Sequence, residues 1–98
     1  MRLNPAEIAI IQNAFLTTFS EGTLYLFGSR VDDNKRGGDI DLLVEMAEPV
    51  ANPALVAAQF SAKISRLMHG RKVDVLLSAP NLMRLPIHDI AFEQGLKL

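Results

Sequence analysis

The chain has 98 residues, of which 49% are hydrophobic and 21% are charged, and its formal net charge is −1 at pH 7. This length predicts a single domain, residues 1–98, with a modest hydrophobic core. The charge balance argues against a general nucleic-acid-binding surface, which is normally basic. No apolar run reaches the roughly 20 residues of a membrane span. Because the chain also has no cysteine for a disulfide or a thiolate metal site, a cytoplasmic location is predicted.

Two helices are predicted from capping signals and apolar spacing. In the first, Asn4 can cap, Pro5 suits the first helical position, and Glu7 can reach back in a capping box. Gly22 is its predicted stop, and its apolar stripe is Ile8, Ile11, Phe15, Leu16 and Phe19. The second helix starts with the same pair of cap and proline and stops near Gly70. Its cap is Asn52, its proline is Pro53, and its stripe is Val56, Phe60, Ile64 and Leu67.

Three strands are predicted, at residues 24–27, 39–45 and 72–77, with a polar loop at 31–38. Pro86 interrupts or restarts a last helix that ends before Gly95, and residues 96–98 add a short edge strand. The first two strands are too closely connected for a helical crossover and should be antiparallel, whereas a helix separates the second and third, which can be parallel. The fold class is therefore α/β (α+β), a small mixed sheet of three to four strands with helices packed on one face.

Three aspartates lie in segments that otherwise have the pattern of buried strands. Because side chains alternate along a strand, Asp39 and Asp41 share one face, opposite the apolar side chains of the same strand. Asp74 likewise points away from the apolar face of the third strand. If the two strands are neighbours, the three carboxylates form an oxygen-ligand cluster of the kind that magnesium prefers. The structural alternative, in which each aspartate caps a strand or a turn, is weakest when all three share a face.

A glycine-serine pair ends the first strand. Gly28 allows the backbone to approach a ligand closely, and exposed N–H groups at such a turn attract phosphate oxygens. Ser29 adds a hydroxyl donor, and Arg30 can pair with phosphate through two hydrogen bonds. Taken alone, this sequence is that of a common turn. Its position just before the acidic strand predicts a nucleotide-binding site beside the carboxylates.

These residues resemble the DNA polymerase beta-like nucleotidyltransferase superfamily. The matching motif is Phe27-Gly28-Ser29, nine spacer residues, and then Asp39-Ile40-Asp41-Leu42, with Asp74 as the third acid. The chain looks like a minimal nucleotidyltransferase, the antitoxin of toxin–antitoxin pairs with HEPN-type helical proteins. The resemblance implies a polymerase beta-like fold, two Mg²⁺ ions (or Mn²⁺) held by Asp39, Asp41 and Asp74, and ATP as the substrate. Gly28, Ser29 and Arg30 would bind the nucleotide.

The resemblance implies a protein adenylyltransferase that transfers AMP from ATP to a hydroxyl of a HEPN-type ribonuclease toxin. Two alternatives stay open. The chain could be a non-catalytic antitoxin that neutralises its partner by sequestration, or a nucleotidyltransferase for a small molecule such as an aminoglycoside. The sequence leaves open the base preference, the acceptor residue, the partner-binding surface and whether the chain forms a homo-oligomer.

Overall fold

A computed structural model of the protein describes residues 3–28 and 39–98. Within these residues, three helices and four strands follow one another in the predicted order. They are α1 (Pro5–Phe19), β1 (Thr23–Phe27), β2 (Ile40–Glu45), α2 (Pro53–Leu67), β3 (Val73–Ser78), α3 (Pro86–Gln94) and β4 (Leu96–Lys97). The predicted loop at 31–38 lies outside the described residues. Within the described ranges, no helix is long and apolar enough to cross a membrane.

The four strands form one mixed sheet in the order β3-β2-β1-β4. β2 runs antiparallel to β1 and parallel to β3, as predicted from the lengths of the two connections. The crossover between the parallel strands is α2, which supplies the length that a parallel pair requires. β4 pairs with β1 at the edge of the sheet, so the predicted short edge strand is confirmed.

Of the two predicted helix caps, the one at α1 forms through side-chain hydrogen bonds and the one at α2 does not. The side chain of Asn4 accepts a hydrogen bond from the Glu7 backbone N–H at 2.8 Å, and the Glu7 carboxylate accepts one from the Asn4 N–H at 2.9 Å, so the capping box is confirmed. Asn52 occupies the N-cap position of α2 and Pro53 begins the helix, as predicted, but the Asn52 side chain makes no capping hydrogen bond. α1 ends at Phe19, ahead of the predicted stop, because Ser20 already adopts a left-handed conformation with φ 60°.

The core lies between the sheet and the helices α1 and α2. Alternate side chains of β1 and β2, including Leu24, Leu26 and Leu42, contribute to it together with Phe15, Phe19 and Phe60 from the helices. The rings of Phe15 and Phe19 stack at 5.6 Å between centroids, and both meet Phe60 edge-on. Most residues of the two predicted apolar stripes are buried or partly buried, as predicted. The prediction is wrong for Leu16, which is 59% exposed, and for Leu67, which is 54% exposed. Met68, the residue after α2, is buried in place of Leu67.

The third helix lies against the opposite face of the sheet, so the predicted packing of the helices on one face holds for α1 and α2 and is wrong for α3. The ring of Phe92 in α3 meets Tyr25 of β1 edge-on at 5.5 Å, and the cross-strand partner of Tyr25 is Leu43. Leu43 shares a face with Asp41 and is nevertheless fully buried. The ring Nε2 of His88 in α3 donates a hydrogen bond to the Leu77 carbonyl at 2.8 Å, while Nδ1 accepts from the Leu85 N–H. α3 therefore covers one end of this face and leaves the acidic end uncovered.

Candidate active site

The sheet brings two of the three predicted aspartates side by side. In the parallel register of β2 and β3, Asp41 pairs directly with Asp74. Asp39 lies immediately before Ile40, the first residue of β2, rather than within the strand as predicted. On the other side of β2, Phe27 at the end of β1 is the partner of Asp41. β2 and β3 are therefore neighbours, which is the arrangement that a cluster of the three carboxylates requires.

The pKa of Asp41 is affected by both of the other carboxylates of the candidate site. Asp41 is half-buried, whereas Asp39 and Asp74 are exposed. The pKa of Asp41 is raised first by burial and then by the negative charges of Asp74 and Asp39, while the positive charge of Lys72 acts in the opposite direction. Like charges on neighbouring carboxyl groups disfavour the ionised form. The three acids are thus close enough to interact, and a cation among them would relieve their repulsion.

Lys72 lies on the same face of the sheet as the aspartates and was not among the predicted site residues. Its Nζ lies 3.8 Å from Oδ2 of Asp39, and both side chains are largely exposed, which makes this a weak ion pair. The signal in the sequence was the alternation along the strand, since Lys72 and Asp74 are two residues apart and share a face. Lys72 offsets part of the negative charge at this end of the sheet.

Gly28 stands directly against Asp41. It follows the last residue of β1 with φ +76°, a conformation that favours glycine. A Cβ built on Gly28 would collide with Oδ2 of Asp41 and would lie 3.1 Å from its Cγ. The other two residues of the predicted nucleotide-binding turn, Ser29 and Arg30, lie outside the described residues. Their role stays a prediction.

The chemistry of these donors fits magnesium, which binds oxygen ligands and favours carboxylates. The geometry is less complete: within residues 3–28 and 39–98, no three or more His, Asp or Glu side chains form a group that could hold a metal ion. The observation that favours a cation is electrostatic, since Asp41 carries a raised pKa caused in part by two other carboxylates. The predicted ligand set therefore stays a prediction.

A groove on the helical surface does not coincide with the predicted site. This groove of about 530 Å³ lies between α1 and α2 and is lined by seven residues, none of which belongs to the predicted site. The residues that line it are Thr17, Thr18, Ala58, Gln59, Ala62, Lys63 and Arg66. The chemistry of the aspartates and the register of β2 and β3 define the candidate site, which lies apart from this groove.

Comparison with known proteins identifies the family. The model of the nucleotidyltransferase domain family matches residues 8–96, which include both acidic strands and Gly28. The chain therefore belongs to the nucleotidyltransferase domain family. A comparison with curated proteins found no significant match to the sequence.

Solved structures of toxin–antitoxin complexes share the fold. A mutant of the pair MntA-HpeT is similar with a TM-score of 0.65 and 22% identity, covering 98% of this chain and 71% of that one. A toxin–antitoxin structure with AMP-PNP gives 0.68 and 21%, covering 97% and 72%. A tri-AMPylated HEPN toxin in complex with its MNT antitoxin, from Shewanella oneidensis, gives 0.66 and 19%, covering 94% and 68%. The polymerase beta-like nucleotidyltransferase fold that the sequence implied is thus confirmed.

Proposed function

We propose that this chain is a magnesium-dependent adenylyltransferase that transfers AMP from ATP to a hydroxyl of a HEPN-type toxin, with attack at the α-phosphorus and pyrophosphate as the leaving group. The observation that carries the proposal is the direct pairing of Asp41 with Asp74 across β2 and β3, next to the turn at Gly28. This arrangement puts carboxylates from two strands beside the backbone turn that the family motif assigns to the nucleotide. The family of the chain supports nucleotidyl transfer as the reaction class.

Each predicted residue has a role that its chemistry allows. Backbone N–H groups at the turn of Gly28 and Ser29, with the guanidinium of Arg30, would orient the triphosphate of ATP. Asp74 stands on the strand beside the Asp39–Asp41 pair, where it would accept the proton of the attacking hydroxyl. The side chain of Lys72 would offset the negative charge that the nucleotide adds to this face.

Asp39, Asp41 and Asp74 would hold the Mg²⁺ ions, two in number, and Mn²⁺ could replace them. Magnesium bound there would supply charge neutralisation at the phosphates and activation of the acceptor hydroxyl. The contribution of the chain itself is to keep three carboxylates at one end of a rigid sheet. The cost of this arrangement is visible in the raised pKa of Asp41, for which burial is the main cause and the two other carboxylates come next.

The structural neighbours support the proposed donor and acceptor. One of them was solved with AMP-PNP, an analogue of ATP, and another contains a HEPN toxin that carries three AMP groups. By analogy, the acceptor for this chain would be a HEPN toxin protein rather than a small molecule. The chain would act as one domain spanning residues 1–98, in the cytoplasm where ATP is available.

The first test needs only the chain and a nucleotide. Saturating Mg²⁺ with AMP-PNP should raise the melting temperature, because a ligand at 100 times its Kd stabilises the native state by about 2.7 kcal/mol. The Asp41→Asn variant should lose this stabilisation. The matched control is Glu48→Gln, which removes one exposed carboxylate after the far end of β2 and should keep it. A melting temperature that stays the same with metal and nucleotide would refute the site.

The second test adds a HEPN protein as the acceptor. Incubation with labelled ATP and Mg²⁺ should transfer label to the HEPN protein, and mass spectrometry should find AMP on one of its hydroxyl groups. The Asp41→Asn variant should transfer no label, whereas Glu48→Gln should transfer at the normal rate. A tight complex that inhibits the toxin without any transfer of AMP would instead support the sequestration alternative.

A further inference from the structure

Two glycines of this chain have nearly the same positive φ in different surroundings. Gly28 has φ +76° at the end of β1, and Gly70 has φ +79° between α2 and β3. In this region a side chain is disfavoured because its Cβ approaches the following carbonyl oxygen. Backbone strain therefore explains a glycine equally well at both positions. It does not explain what lies beside them.

The space beside the two glycines differs in a way that concerns the site. A Cβ at Gly70 would have nothing within 4 Å. A Cβ at Gly28 would collide with Oδ2 of Asp41, and it would lie 3.1 Å from the Cγ and 3.3 Å from the Cβ of the same residue. The three nearest atoms thus all belong to the central aspartate of the candidate site.

Rotation of the Asp41 carboxylate alone would relieve only part of this crowding. Rotation about χ2 moves the carboxylate oxygens and leaves Cγ where it is, so the contact at 3.1 Å would persist. The Cβ of Asp41 is held by β2, whose register with β1 pairs Asp41 with Phe27, the residue before Gly28. A side chain at position 28 would therefore require the Cγ and Cβ of Asp41 to give way by a few tenths of an ångström, either by rotation about χ1 or by a small separation of the two strands.

We propose that Gly28 is a positioning residue for Asp41: the missing side chain leaves the space in which the carboxylate of Asp41 lies against the end of β1. This is a second reason for the glycine, independent of any approach by phosphate. The burial that results agrees with burial being the main cause of the raised pKa of Asp41. The expected effect on AMP transfer rests on the proposed function. The expected effect on the χ1 angle of Asp41 does not depend on it.

The experiment compares Gly28→Ala with Gly70→Ala, which places an alanine at a similar positive φ without the contact. The readout is the χ1 angle of Asp41 in the chain without metal or nucleotide, measured by NMR from the three-bond couplings of its Cγ to the backbone nitrogen and carbonyl carbon. Gly28→Ala should move Asp41 to another rotamer or average it, and Gly70→Ala should leave it unchanged. An unchanged χ1 in Gly28→Ala, or an equal change in Gly70→Ala, would overturn the proposal.

A second readout separates this proposal from the proposed function. The AMP transfer rate should fall on the order of 10²-fold in Gly28→Ala, because displacing a catalytic group by about 1 Å can cost that much, and it should stay normal in Gly70→Ala. If Asp41 changes rotamer but the wild type transfers no AMP, the positioning role stands and the proposed function fails. If the wild type transfers AMP and Gly28→Ala changes neither the rotamer nor the rate, the positioning role fails alone.

A folding failure of Gly28→Ala would also be informative. The double variant Gly28→Ala with Asp41→Ala removes the carboxylate and Cγ that the new methyl group would meet. It should therefore fold with a urea midpoint close to that of Gly70→Ala combined with Asp41→Ala. If the double variant at positions 28 and 41 remains unfolded while the Gly70 control folds, the contact with the carboxyl group of Asp41 is not the reason for the glycine.

Discussion

Replacing Asp74 by asparagine should raise the stability of the chain and at the same time abolish AMP transfer. Asp74 is the direct partner of Asp41 across the parallel strands, and after burial its charge is the largest cause of the raised pKa of Asp41. Asparagine has nearly the same shape and removes this charge. The variant thus separates the electrostatic cost of the site from its function.

The size of the stabilisation follows from the spacing of the strands. Neighbouring strands lie about 5 Å apart, and two unit charges at that distance in water repel by roughly 0.8 kcal/mol. Because Asp74 is exposed, the water value applies, and physiological salt reduces it to about 0.4 kcal/mol. For a domain of this size, that corresponds to a rise of about 2–3 °C in the melting temperature.

The assays are thermal melts, AMP-PNP titration and transfer to a HEPN acceptor, all on the same variant. The increase in melting temperature should shrink at high salt and vanish at a pH low enough to protonate both carboxyl groups. AMP-PNP should still bind, because Gly28, Asp39 and Asp41 remain, while the transfer rate should fall on the order of 10²-fold or more. A variant less stable than the wild type, or one that transfers at the normal rate, would refute the reasoning and make Asp74 a structural strand residue.

Three further predictions concern the titration of the site, the core and the helix caps. The raised pKa of Asp41 means that the native state keeps its proton at pH values where the unfolded chain has lost it, so stability should fall as pH rises from the ordinary carboxyl pKa of 3.8 to the raised value. Asp41→Asn should flatten this part of the profile in urea unfolding, and parallel profiles would contradict the assignment. Phe60→Ala should cost about 3–5 kcal/mol of unfolding free energy, because the ring is fully buried against two others, and a loss below 1 kcal/mol would be inconsistent with that packing. Asn4→Ala should cost about 1 kcal/mol and Asn52→Ala close to nothing, since only Asn4 caps its helix through its side chain; equal losses would show that this difference is unimportant.

The sequence by itself determined the order of the elements and the side of each strand on which the acids lie. Alternation of polar and apolar residues has a period of two in a strand, so the apolar neighbours of Asp41 and Asp74 decide which way both carboxylates point. The lengths of the connections determined which strands are antiparallel and which are parallel. The capping box at Asn4 was predictable for a similar reason, because its two hydrogen bonds join residues only three positions apart.

Only the tertiary structure decided which residues of different elements meet. The partnership of Asp41 with Asp74 depends on the register of two strands that are separated by a whole helix, and no local pattern specifies that register. The burial of Leu43 depends on α3, which packs from a distant part of the chain onto the face that carries the acids. The contact between Gly28 and Asp41 is also non-local, because the strand pairing brings together a backbone turn and a side chain that are 13 positions apart. Short-range preferences act within an element, whereas register and packing are settled by the fit of the complete core.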